Sequence, residues 1–351
     1  MNSSHLLRLR KIKKLFGLIS LTIVILAGVN FFSQGKIGIP IEREKPVLNS
    51  LTGLPGKDGP VLVVKIDDTR PAHPQEGLRS ADVVYIEQVE GGLTRLAAVY
   101  SSSIPDVIGP VRSARISDIE LFSQFGKIAF AYSGAQKKLL PEIAAANMVD
   151  VGAMRFGPSF YSNDSNRTPP YAMMVKASDL LAEGLRRDPD ISISKSMGWT
   201  FDDKSPIIQK FSKVEIFWPA SKYSATWTAT EGRWLLSFGD QPNIDASGYH
   251  LGPKNIVIQL VDISDSIYKD KVGGVTPFSA TIGSGRCYLL RDGGSIPCLW
   301  NRPTAESGTT FTDPTGAVIP FAPGQSWFAL TDKEPVFTGL QLQDAPKSTS
   351  K

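Results

Sequence analysis

The side chains with the clearest chemical potential lie close together in the chain. Glu87, Glu90, Arg112 and Arg115 all fall within DVVYIEQVEGGLTRLAAVYSSSIPDVIGPVRSARISDIELF, residues 82–122, and Asp67-Asp68 come just before it. Arg112 and Arg115 are three apart, so on a helix they project from one side. Near a helix start they join a terminus rich in free N–H groups, which suits a phosphate, sulfate or carboxylate. Two cations at that end also oppose the helix dipole, a cost that needs an offset. The competing reading is structural: ion pairs to Glu90, Asp118 or Glu120, which contribute little at a surface. Asp67 and Asp68 close an apolar strand, Val61 to Ile66, at the end where α/β sheets bind ligands. The same residues also make local Asx turns and caps, so both readings stand.

The elements that must position these groups follow from periodicity. The apolar runs around Gly91-Gly92 predict two strands joined by a two-residue turn, with Glu90 opposite Leu93 and Gln88 opposite Arg95. Glu90 and Arg95 then share a face as diagonal neighbours, which makes Glu90 an orienting partner for an arginine. Glu87 points the other way with Tyr85 and Val89. Carboxylates on opposite faces do not form the acid/base pair of a glycosidase unless a bulge resets the register. Gly109-Pro110 ends the preceding element, and Ser113 or a neighbour can cap a helix running towards Phe125.

Beyond this stretch, KIAFAYSGAQKKLLPEIAAANMVDVG reads as strand, turn, helix and short strand, an α/β signature. FGPSFYSNDSNRTPPYAMMV should be a long loop over an edge or a pocket, with Met173 and Met174 as core filler. A helix follows from near Ser178, with Leu180, Leu181 and Leu185 on its apolar side. After Ser196 the texture changes to short strands separated by Gly, Pro and Asp turns. Five of the six tryptophans lie there, at strand positions that suit a core. The fold class is therefore an α/β (α+β) N-terminal domain, residues 60–196, followed by a mostly β C-terminal domain, residues 197–336. Residues 337–351 lose periodicity and read as a frayed tail.

The N-terminal end points to a compartment. Arg8, Arg10, Lys11, Lys13 and Lys14 precede the uncharged run Leu15 to Phe32. A run of that length suits one transmembrane helix with its basic flank, residues 1–14, in the cytoplasm. Signal anchor and cleaved signal peptide both begin this way. The apolar run exceeds the core of a usual cleaved signal, which favours an anchor at residues 15–33. Residues 34–59, rich in Pro, Gly and charge, read as an extracytoplasmic stalk. Removing those five basic residues from 38 Lys+Arg leaves 33, against 34 Asp+Glu. The exported part is thus nearly neutral, which argues against nucleic-acid binding.

Cysteine and histidine counts narrow the chemistry. With two Cys and three His, one of them at position 5, a Cys-based or His-cluster zinc site has too few ligands. An oxygen-ligand site around Asp67-Asp68 remains open. A turn at Asp292-Gly293 places Cys287 opposite Cys298, where an exported compartment allows a disulfide, whereas a Gly293-Gly294 turn pairs Cys287 with Trp300. No phosphate-binding GxxxxGK[ST], GxSxG elbow or HExxH is present.

Lys65-Ile66-Asp67-Asp68, Ala81 to Tyr85, Glu87, Glu90-Gly91-Gly92 with Thr94-Arg95, and Gly109 to Arg115 resemble the motifs of a bacterial family, the DUF3048 (YerB-like) proteins of unknown function. The likeness runs from about Pro60 to Thr331. It is looser in the second half, where Asp245, Asn255 to Gln259 and Gly324 to Trp327 carry it. The resemblance implies an envelope location and a two-domain layout, without an established chemistry. Pro169-Pro170-Tyr171 stands where members often carry Pro-His-Asn, and Asn243 where they often carry histidine. If those histidines serve a reaction elsewhere, this chain has lost or altered it. Many members are lipoproteins, and this chain lacks the lipid-bearing Cys.

The leading expectation is a membrane-anchored extracytoplasmic protein that binds an anionic cell-wall or envelope component, or an envelope protein, with no cofactor. Arg112 and Arg115 clamp the anion, Arg95 assists, Glu90 orients Arg95, and Asp67 and Glu87 line the cleft. The alternative is an envelope hydrolase acting on a glycan or phosphodiester, with Asp67, Asp68 or Glu87 as acid/base or metal ligands. A third possibility is a scaffold in which every named ion is satisfied within the chain.

Overall fold

Apolar strands that read as continuous runs are buried on both faces, and here they build one wide sheet. The computed structural model describes residues 46–204, 209–270 and 272–339. Its centre is three strands: β1 (Leu62–Asp67), β2 (Val83–Gln88) and β3 (Thr94–Tyr100), with β3 antiparallel to both neighbours. On the β1 side the sheet continues through Ile128–Ala131 and Met148–Asp150, both parallel. The helix Leu140–Ala145 lies between them in sequence, so this corner is the α/β unit that its pattern predicts.

On the β2 side the sheet continues into the second half of the chain. Ser326–Thr331 pairs parallel to β2, then come Asn255–Leu260, Gly283–Arg291, Gly294–Arg302 and Thr310–Thr312. The two halves distinguished by texture thus contribute strands to a single eleven-stranded mixed sheet. Its two faces form the two cores, and alternation sorts residues between them. Leu62, Val64, Ile66, Ile86 and Trp327 face one core; Val63, Tyr85, Val99, Val257 and Phe328 face the other. The first core is closed by a five-stranded sheet that brings Val214, Tyr223 and Trp234. The second is closed in part by α1 (Ile116–Ser123), through Leu121 and Phe122.

Helix is scarcer than an α/β reading of the first half suggests. The longest described helix, Ala177–Arg187, has eleven residues and buries Leu180 and Leu181 as expected. Among the described residues none is long and apolar enough to cross a membrane, and the expected anchor at 15–33 lies outside them. The last part of the expected stalk is folded onto the body. Leu51 is buried in the second core, Thr52 accepts the Gly324 N–H, and Asp58 accepts hydrogen bonds from Ser50 and Ser194. One apolar residue with polar neighbours is enough to dock a segment whose composition reads as linker.

The hairpin at Gly91-Gly92 differs from its predicted register by one residue. Glu90–Gly92 forms a 3-10 turn with both glycines at positive φ, and Glu87 rather than Gln88 faces Arg95. The longer turn moves Glu87 and Arg95 onto a shared face, which decides the geometry of the site.

The cysteine hairpin follows the Asp292-Gly293 register. Arg291 pairs with Gly294, Cys287 faces Cys298 across the strands, and the two form a disulfide.

Candidate functional site

Three adjacent strands each deliver charge to the face beneath α1. Lys65 and Asp67 lie two apart on β1, Glu87 lies on β2, and Arg95 on β3 faces both Asp67 and Glu87 in register. Lys65, with no exposed side-chain surface, sits 2.6 Å from Glu87 and 2.7 Å from Asp118 of α1. Burial pushes the Glu87 carboxyl up to about 7, against the pull of Lys65. A lysine in the middle of the apolar run LVVKID, two residues before Asp67, is the sequence signal for this pair, and periodicity alone passes over it.

The helix start has its anion built in. Arg115 is the N-cap residue, and its backbone N–H donates to Asp118 at 2.6 Å. Ser113 does not cap it. Glu90 accepts from Arg115 Nε at 3.0 Å and Nη2 at 2.6 Å, so it orients Arg115 and not Arg95. Burial works to raise Glu90, but the hydrogen bonds and charge of Arg115 and the Thr276 hydroxyl outweigh it and hold the carboxyl below its usual range. Thr276 belongs to the hairpin of Ile263–Lys269 and Val275–Ser279, which lies over this end of α1 and also donates the Ser279 N–H to Ser117. Arg95 donates to the Ser113 carbonyl at 3.0 Å, and burial first, then repulsion from Arg115, lowers its guanidinium. The cluster therefore matches Lys65, Arg95, Arg112 and Arg115 against Asp67, Glu87, Glu90 and Asp118, charge for charge.

Arg112 stands apart. Its Nε lies 2.6 Å from Asp67 Oδ2, out of line for a hydrogen bond, and its side chain is 26 % exposed. No acceptor among the described residues takes its terminal nitrogens. Its guanidinium carbon lies 5.7 Å from the centre of the Tyr171 ring. The other oxygen of Asp67 accepts from Thr69 N–H and hydroxyl, the Asx turn that its position allowed.

Asp68 points to the opposite side of the sheet, as strand alternation requires. Its buried carboxylate accepts from the hydroxyls of Tyr223 and Thr94, each at 2.6 Å, and from the Gln75 amide at 3.2 Å. His73 Nε2 lies 3.4 Å from the same oxygen as Tyr223 and Gln75. The divergence of Asp67 and Asp68 leaves no paired-oxygen metal site between them. No cluster of three or more His, Cys, Asp or Glu gathers among the described residues.

His73 leads to an open cleft of about 430 Å³, lined with Pro71, Asn166, Thr168 and Tyr171. Arg167 closes one wall by binding Asp164 at 3.2 Å and donating to the carbonyls of Ala72, at 3.0 Å, and Pro74. The loop 164–171 thus borders a pocket, as its composition predicts. In the sequence, His73 counts only as one of too few histidines for a metal site. Asn243, where the resemblance expects histidine, is buried near Tyr223 with both amide atoms unpartnered among the described residues.

Residues 51–190 match the family described as "Protein of unknown function (DUF3048) N-terminal domain", and residues 214–328 match its C-terminal domain. The chain belongs to the DUF3048 family. This DUF3048 chain is 34% identical over 144 residues to "Putative lipoprotein YerB" of Bacillus subtilis strain 168. That match covers 39% of this chain and 42% of the relative, so it spans less than half of the relative's length. The crystal structure of the YerB protein from Bacillus subtilis shares the fold, with a TM-score of 0.70 at 21% identity over 84% of this chain and 100% of that one.

The DUF3048 motifs now have positions. Lys65 to Asp68, Glu87, the Glu90-Gly91-Gly92 turn with Arg95, and Arg112 to Arg115 converge on the cluster and the neighbouring strand end, although they are scattered over fifty residues of sequence.

Proposed function

We propose that this chain is an envelope-associated binding protein that holds an anionic group at Arg112, beside the Tyr171 cleft. The observation that carries this reading is the contrast among the three arginines. Arg95 and Arg115 are committed to carbonyls and to Glu90, whereas Arg112 keeps its terminal nitrogens without an acceptor among the described residues. A guanidinium with an open fork suits the two oxygens of a carboxylate or phosphate. Asp67 orients Arg112 from behind. Arg115, Arg95, Glu90 and Glu87 are positioning residues in the layer beneath. The envelope location draws on the lipoprotein designation of YerB and on the expected single-pass anchor at residues 15–33. The partner is an anionic cell-wall component or the acidic segment of an envelope protein.

The test uses the full chain in mild detergent, sedimented with isolated cell-wall material. Arg112→Gln should lose retention while melting within a few degrees of wild type. Arg115→Ala, in contrast, should lower stability and spare retention in the fraction that stays folded. Equal retention of wild type and Arg112→Gln would remove the assignment.

A further inference from the structure

His73 occupies the boundary between the cleft and the buried Asp68 network, and its hydrogen bonding can be worked out. Both hydrogens of the Gln75 amide nitrogen are taken, one by the Asp67 carbonyl and one by Asp68, each at 3.2 Å. The same nitrogen lies 3.2 Å from His73 Nε2 and has no hydrogen left for it. His73 Nε2 must therefore carry its own hydrogen, directed to the Asp68 carboxylate 3.4 Å away. The ring is held flat against Phe238, with centroids 4.5 Å apart and planes 18° from parallel. With Nε2 committed, Nδ1 is an acceptor in neutral imidazole and a donor in imidazolium.

The remaining groups around His73 decide which form a ligand would select. From the loop opposite come Asp164, already bound to Arg167 and to the Asn166 N–H, and Arg167 itself, which is spent on Asp164 and two carbonyls. From the five-stranded sheet, Tyr223 reaches His73 only through Asp68. The side chains of Asn166, Thr168 and Tyr171 have no hydrogen-bond partner among the described residues and line the same cleft. The Asp164 carboxylate in the wall is thus neutralised, while the uncommitted groups can donate.

We propose that the cleft binds a phosphate ester whose charged oxygens are shared between Arg112 and His73, with His73 taking up one proton as the ligand binds. The proposal rests on the reading of Arg112 as the open cation. A tetrahedral phosphoryl group suits donors arriving from separate walls, whereas a carboxylate offers two oxygens in one plane. Asp68 stabilises the imidazolium from the buried side, with its hydroxyl and amide donors fixing its position.

Calorimetric titration of the full chain in detergent tests this with two probes. Glycerophosphoglycerol is a phosphodiester that does not titrate between pH 5 and 8, and glycerol 3-phosphate is a monoester. Their relative affinities separate a polymer backbone from a terminal phosphate as the source, and sodium acetate serves as the carboxylate control. For the diester, affinity should fall about tenfold per pH unit above the titration of His73. Buffers of different ionisation enthalpy should report uptake of about one proton. His73→Gln should flatten the pH profile, and Arg112→Gln should abolish binding at every pH. Three results overturn the proposal: no binding of either phosphate probe, a flat wild-type profile without proton uptake, or an unchanged slope in His73→Gln. Phosphate binding that survives Arg112→Gln, with His73-dependent proton uptake intact, would instead remove the Arg112 reading alone.

Discussion

Replacing Glu87 by glutamine tests the energetics of the buried cluster directly. Lys65 faces two carboxylates, Glu87 and Asp118, so this inner group carries one excess negative charge while both acids are ionised. Burial pushes Glu87 from 4.5 up to about 7, so the folded chain holds that proton more tightly than the unfolded chain. The contribution is fully present below pH 4.5 and is lost as pH rises through 7. At 1.36 kcal/mol per unit, the displacement sets an upper bound of about 3 kcal/mol. The substituted amide keeps the shape and an oxygen for the Lys65 ammonium, and leaves Lys65 paired with Asp118. Glu87→Gln should therefore match wild type near pH 4.5 and equal or exceed its stability at pH 8. Urea denaturation followed by tryptophan fluorescence at several pH values gives both curves, and their difference isolates Glu87 from other titrating groups. A wild-type minus variant difference that grows in favour of wild type between pH 5 and 8 would refute this. So would a variant that loses more than about 2 kcal/mol at pH 8, which would mean that the ion pair outweighs its desolvation.

Two further outcomes follow from the backbone and the cross-link. Gly92→Ala should destabilise by about 1–3 kcal/mol, because φ is +71° and a Cβ there would meet Pro219 Cβ at 2.5 Å. Gly91→Ala has the same backbone sign with open space around it and should cost about 1 kcal/mol; equal effects in urea melts would contradict the packing argument. Paired Cys287→Ser and Cys298→Ser substitutions should lower stability by about 2–4 kcal/mol. The intact mass of the unreduced wild-type chain should be about 2 Da below the reduced form, and free thiols in protein exported to an oxidising compartment would refute the bridge.

Much of the site's composition is readable from the chain alone. The motif residues flanking Gly91-Gly92 and Gly109-Pro110 are unusual charges inside apolar elements, and such charges need partners wherever they end up. Their mutual pairing is not readable. A single extra residue in the 3-10 turn reverses which face each later side chain of β3 occupies relative to β2, and nothing local distinguishes a two-residue Gly-Gly turn from a longer one. Lys65 is inconspicuous because a lone lysine in a strand is usually an edge or surface residue. His73 is inconspicuous because its partners Asp68, Gln75, Thr94 and Tyr223 are spread over 155 residues and meet only when the five-stranded sheet docks.

By itself, the sequence determined the strands, the short helices, the Cys287–Cys298 register, the cover of the cleft by residues 164–171 and the change of texture after Ser196. These depend on local periodicity and turn chemistry, which act over a few residues. Tertiary structure alone decided that strands from both halves share one sheet and that Leu51 docks on it. It also decided that Asp118 and Glu90 are the anions at the helix start, and that Arg112 keeps an open guanidinium. The reason is energetic: a buried charge is tolerated only beside a compensating one, and which charges become neighbours depends on non-local strand order, to which local preference is blind.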